Sequence, residues 1–191
     1  MSSSSSSVAS SETLPPEQIA EASSYLRDTR DALVDSVVGL SAQQWDFKRS
    51  PDCWSVSEIV EHVVLIERRV HAIVGSMANN PAPPPGWDQT NMDERILREV
   101  PNRSTKFAAP PFVSPSHNWS RTEGLEHFFN SRDRTIQLLS ASSLRGHVLP
   151  HPILGLWDGY QWLVAAGAHS IRHTGQILEV KVAPNFPKPS E

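Results

Sequence analysis

The chain has one cysteine, Cys53, in 191 residues. A single thiol excludes an intramolecular disulfide and fits a reducing cytoplasm. No apolar run approaches the roughly 20 residues that cross a bilayer as a helix. Charge of one sign is nowhere concentrated: 17 Lys and Arg stand against 21 Asp and Glu, for a net charge of −4. The basic residues fall singly or in pairs, so nucleic-acid binding has no electrostatic footprint. Convincing period-2 strands are lacking. The serine tract at the N-terminus has neither the basic region nor the apolar core of a secretory signal, and the expected location is cytoplasmic. With almost nothing to bury, residues 1–14 read as a disordered tail.

Helical periodicity is what remains, and the length suits one domain with a full core. Pro15-Pro16 opens a first helix, where proline suits the first turn. Its stripe runs through Ile19, Ala22, Leu26, Leu33, Val37 and Leu40. Ser55 and Glu58 form a capping box for a second helix, with Trp54 and Ile59 at the staple positions. That stripe is Ile59, Val63, Ile66, Val70, Ile73 and Met77. A third helix starts at Ser120 with Glu123, buries Leu125, Phe128, Phe129, Ile136 and Leu139, and ends near Ser142. A fourth starts at Asp158 with Gln161, has Trp157 and Trp162 at its staple, and runs to about Val182 before Pro184. Residues 79–118 are rich in proline and hold a short helix near Met92 to Val100. Gly146 to Gly155 reads as a loop. The expected fold is all-α: a four-helix bundle over residues 15–183, a long crossover between helices two and three, and a tail at 184–191. The crossover either connects helices or covers a site.

The most informative residues are His169 and His173. Four apart on a helix, they lie one above the other and can chelate one divalent ion. They share a face with Trp162, Ala166, Gln176 and Val180, which otherwise looks buried. Burying neutral imidazoles without partners costs roughly 1–3 kcal/mol each. His62 borders the apolar stripe of the second helix, between Ile59 and Ile66. Three imidazoles from two helices would leave an open coordination position, the pattern of a catalytic metal site. A core histidine with one hydrogen bond is the plainer reading of each. His71, nine residues past His62, is turned about half a revolution and reads as surface. A zincin protease is excluded, because Ser170 stands where the general-base glutamate belongs. Cys53 lies ~12 Å from His62 at 1.5 Å per residue, too far to be a ligand. It reads as a partly buried loop residue.

These residues carry a resemblance to the DinB-like (DinB/YfiT-like) superfamily of metalloenzymes. Trp54-Ser55-x-x-Glu58-Ile59-x-x-His62 resembles its characteristic helix start. His151-Pro152-x-x-Gly155 is similar to its loop before the last helix. Gln161-Trp162-Leu163 and His169-x-x-Arg172-His173-x-x-Gln176-Ile177 are similar to its final-helix motif. The likeness spans about residues 15 to 182. It implies a four-helix bundle in which His62, His169 and His173 hold a divalent metal, often zinc or nickel, and it implies a homodimer. Characterised relatives include bacillithiol transferases and mycothiol-dependent isomerases.

A metal with three neutral ligands generates a nucleophile at neutral pH. The first expectation is therefore a transferase using a low-molecular-weight thiol on a small-molecule substrate. The alternatives are a hydrolase with metal-activated water, and a non-catalytic, stress-related ligand-binding bundle. No general base stands out. Glu58 is explained by its capping box, and Glu61 and Glu179 point away from the histidine faces. Secondary candidates are His151, near the cleft or shaping a turn with Pro152; Arg172, for a substrate anion or an interface pair; and Gln176, orienting a ligand. Trp157 and Trp162 read as staple and core.

Overall fold

The structure, a computed structural model, describes residues 13–116, 118–141 and 143–188. Four long helices form the bundle: α1 (Pro16–Val37), α3 (Val56–Gly75), α5 (Arg121–Leu138) and α6 (Gly159–Lys181). Two shorter helices accompany them, α2 (Ala42–Trp45) and α4 (Gln89–Glu99). The capping boxes at Ser55/Glu58, Ser120/Glu123 and Asp158/Gln161 are all formed. α1 and α3 each pack against both α5 and α6. Among the described residues, no helix is long and apolar enough to cross a membrane.

Several expectations fail. The Gly146–Gly155 loop contains a strand, β1 (Val148–His151), which pairs antiparallel with β2 (Gly155–Asp158). These strands are too short for an alternating pattern to show, and Pro150 sits within one of them. Gly155, at φ +92°, closes the turn, a backbone conformation that suits glycine. The third long helix stops at Leu138, and Phe129 on it is 37 % exposed. Residues 1–12, 142 and 189–191, which include most of the two expected tails, lie outside the described residues. Leu14, expected in the N-terminal tail, is buried in the core, and Phe186, expected in the C-terminal tail, packs against it.

The core is two apolar clusters. One gathers Leu26, Val70, Leu139 and Leu163, and the other Leu33, Val63, Phe128 and Ile177. On every long helix a polar residue separates them: Thr29, Glu67, Arg132 with Thr135, and Ser170. Arg132 and Glu67 are fully buried. Arg132 Nε donates to Glu67 Oε1 at 2.8 Å, and Nη2 reaches the same oxygen at 2.6 Å. Nη1 donates to the Leu26 carbonyl and to Thr29 Oγ1, and Nη2 also donates to Ser170 Oγ. Thr135 Oγ1 donates to Glu67 Oε2 at 3.1 Å. The planar five-donor guanidinium thus ties all four helices at one level. α6 approaches α1 closely at Gly167, where a Cβ would stand 2.7 Å from Tyr25 Cε1.

Breaking one partner of a buried pair strands the other charge in the core. Arg132→Met should therefore cost on the order of 3–5 kcal/mol in urea unfolding. Glu67→Leu/Arg132→Met removes both charges and should recover much of that loss. Wild-type stability in the single variant would show that the pair does not hold the bundle.

Candidate metal centre

α3 and α6 bring His62, His169 and His173 together, with one ligand-capable nitrogen from each within 4.8 Å of the others. The ring centroids of His62 lie 5.1 Å from His169 and 4.9 Å from His173. The Trp54 ring packs on His62 at 4.8 Å. His62 and His173 are buried, whereas His169 keeps part of its surface open.

Two rings are oriented through Nδ1. His62 Nδ1 donates to the Val113 carbonyl at 2.8 Å, and His173 Nδ1 donates to Gln176 Oε1 at 2.8 Å. Each neutral ring then presents an Nε2 lone pair. His173 Nε2 lies 3.1 Å from His169 Nε2. Two lone pairs at that distance repel, so a proton or a cation belongs between them. His169 Nδ1 is sealed from solvent without a hydrogen-bond partner. Burial lowers all three imidazoles. His62 falls despite the Val113 carbonyl. His169 falls well below its ordinary value, reinforced by His173 and His62. His173 is held at about 3, by burial and then by His62. Neutral nitrogens are what a divalent ion requires of its ligands. Metal–nitrogen bonds of ~2.1 Å allow ligand nitrogens to stand up to ~4.2 Å apart, so small ring movements complete the fit.

The crossover covers this group from one side. A 3₁₀ turn, Pro111–Val113, supplies the carbonyl that holds His62, and Ser116 N–H donates to Glu61 Oε1 at 2.5 Å. Arg172 donates to the Asn102 carbonyl, and to that of Thr105 at 2.6 Å. It is thus a strap for the crossover. Arg103 forms a two-pronged pair with Glu179 and also reaches the Arg172 carbonyl. Farther along, Asp93 on α4 accepts from Arg145 and from Gln161 Nε2. Val113 and Arg103 escaped the sequence reading: a backbone carbonyl has no residue signature, and Arg103 lies in a segment without periodicity.

Other candidates lie elsewhere. Glu58 caps Ser55 and pairs with Lys48. Cys53 Sγ accepts from Ser50 at 3.2 Å and is not among the clustered ligands. His71, expected at the surface, is half-buried against α5, bonded to Thr135 Oγ1 at 2.8 Å. His151 stacks on Trp157 at 3.9 Å, and its Nδ1 accepts from the Ile153 and Leu154 N–H groups. It shapes the hairpin turn.

The profile of the DinB superfamily matches residues 25–177. The chain belongs to the DinB superfamily. Its resemblance to YuaE of Bacillus subtilis (strain 168), an uncharacterised protein, is 24 % identity over 161 residues, covering 83 % of this chain and 96 % of that one. The solved structure of YfiT from Bacillus subtilis covers 89 % of each chain with a TM-score of 0.57 and 16 % identity. It is described as a probable metal-dependent hydrolase with an unusual four-helix bundle topology. At that identity the likeness shows the shared fold, and the four-helix bundle agrees with the architecture above.

Burial lowers His151 to about 4 from an ordinary 6.5. The unfolded chain takes up its proton near pH 6.5, whereas the folded chain refuses it until about pH 4. His151 therefore withdraws stability as pH falls through that window. His151→Asn keeps an acceptor for the turn and should lose stability less steeply between pH 6.5 and 4 in thermal unfolding. An unchanged slope would show that His151 titrates normally in the fold.

Proposed function

We propose that His62, His169 and His173 hold one divalent metal ion, zinc or nickel, and that the protein is a metal-dependent transferase using a low-molecular-weight thiol. The observation that carries this reading is the convergence of three neutral imidazoles from two helices, without a carboxylate in the group. When bound, such an ion supplies the Lewis acidity that makes a thiol or a water nucleophilic near neutral pH.

The chain's own residues supply orientation and shelter. Val113 and Gln176 fix two ring tautomers, as outer partners of metal-binding histidines commonly do. Trp54 walls one side of His62. Hydrolysis calls for a general base near the reacting water. The neighbouring carboxylates are engaged elsewhere: Glu58 in its cap, Glu61 with Ser116, and Glu179 with Arg103. A thiol loses its proton far more readily than water and needs no such base. This favours thiol transfer to a small electrophile. In keeping with the single cysteine we place the reaction in the cytoplasm, and in keeping with the family resemblance in a homodimer. Hydrolysis is the second reading, supported by the description given for YfiT.

Metal analysis should find about one divalent ion per chain in the purified protein. His62→Ala and His169→Ala should each lose most of it, and retention in both would overturn the site. The metal-loaded protein should conjugate monochlorobimane in the presence of bacillithiol, mycothiol or glutathione. Ester hydrolysis without thiol-dependent turnover would replace the transferase with the hydrolase.

A further inference from the structure

A second polar cleft opens between α3 and α5. It is an open groove of about 190 Å³, lined by Arg68, His71, His127, Asn130, Ser131 and Arg134. It is separate from the three-histidine group. Nine residues divide His71 from His62, which turns the two about half a revolution apart on α3. The four α5 residues follow helical spacing and share one face.

The lining has two guanidiniums, two imidazoles and an amide, and no carboxylate. Arg68 and Arg134 enter no ion pair among the described residues. Both guanidiniums face the same cleft from opposite helices. Three nearby acids are committed elsewhere. Glu67 beneath the cleft belongs to Arg132, Asp133 faces Arg30, and Glu123 caps Ser120. Part of the lining is also held in place. The Arg68 guanidinium lies 5.5 Å from the centre of the Trp119 ring, and the same ring packs on His127 at 4.3 Å. His71 is fixed by Thr135, and Ser131 is buried. The imidazole registers the local field: burial, then Arg134 and Arg68, lower His71 to about 4.

We propose that this cleft binds a small anion through a phosphate group, with Arg68 and Arg134 as its two principal donors. Guanidinium matches phosphate oxygens bidentately, and such charge-assisted hydrogen bonds are roughly twice as strong as neutral ones. Two unpaired guanidiniums match a dianion, whereas a single carboxylate would leave one of them unsatisfied. His127 and Asn130 stand alongside as further donors. This inference does not depend on the metal reading.

The test uses the full chain and NMR of the histidine ring C–H signals. Inorganic phosphate is titrated at fixed pH and at constant ionic strength held with chloride, and glycerol phosphate is titrated in parallel. Saturable shifts are expected at His71 and His127. Arg68→Ala/Arg134→Ala changes two exposed side chains, so its circular dichroism and metal content should be unchanged. Its phosphate affinity should fall at least tenfold. Equal affinity for the two probes assigns free phosphate as the ligand, and tighter binding of glycerol phosphate assigns a phosphate monoester; both uphold the cleft. Shifts confined to His62, His169 and His173 would overturn it, as would unchanged affinity in the double variant.

Discussion

Everything in this bundle is arranged around one buried guanidinium. Arg132 brings a full charge into the core, which is tolerable only because its donors find Glu67, Leu26, Thr29 and Ser170. Those acceptors come from three other helices, so satisfying Arg132 sets the axial register of all four. Apolar packing tolerates sliding, whereas hydrogen bonds of this geometry do not. Burial pushes the Glu67 carboxyl up from its ordinary value, and Arg132 pulls it back. The histidine group inherits this register. Ser170 lies between His169 and His173, so the turn that presents the two rings is anchored from beneath.

The candidate centre rests on a different kind of support. Its rings come from rigid helices, but the orientation of His62 comes from the crossover. That segment is tied down at three levels: Asp93 to Arg145, Arg103 and Arg172 along α6, and Val113 to His62. The crossover is thus both a connection and a cover, the two roles that its length and proline content suggested separately.

The elements legible in the sequence were those with a local chemical signature. Three capping boxes and the Trp157–Trp162 staple stand where the residues announced them, because a cap is decided within a few residues of chain. The convergence of His62 with His169 and His173 followed from two apolar stripes. The box at Ser41/Gln44 escaped notice, since a four-residue helix has no stripe to follow it. The polar layer escaped for another reason. Glu67 lies between Val63 and Val70 on an apolar face, and Arg132 lies four residues after Phe128, yet charged residues in a helix read as solvent-facing by default. Only their partners, some 65 residues apart in the chain, explain them. His71 was misplaced because α3 is packed on two sides, so half a turn away from one neighbour faces another.

The reliance on Val113 has a kinetic side. His62 and the carbonyl that orients it are separated by 51 residues. That bond belongs to a loop laid over the helices, and loop contacts open at lower cost than packed helices. The helices can stay assembled while the crossover lifts, and with it the fixed tautomer of one imidazole is lost. The chain can therefore lose its site while keeping its fold.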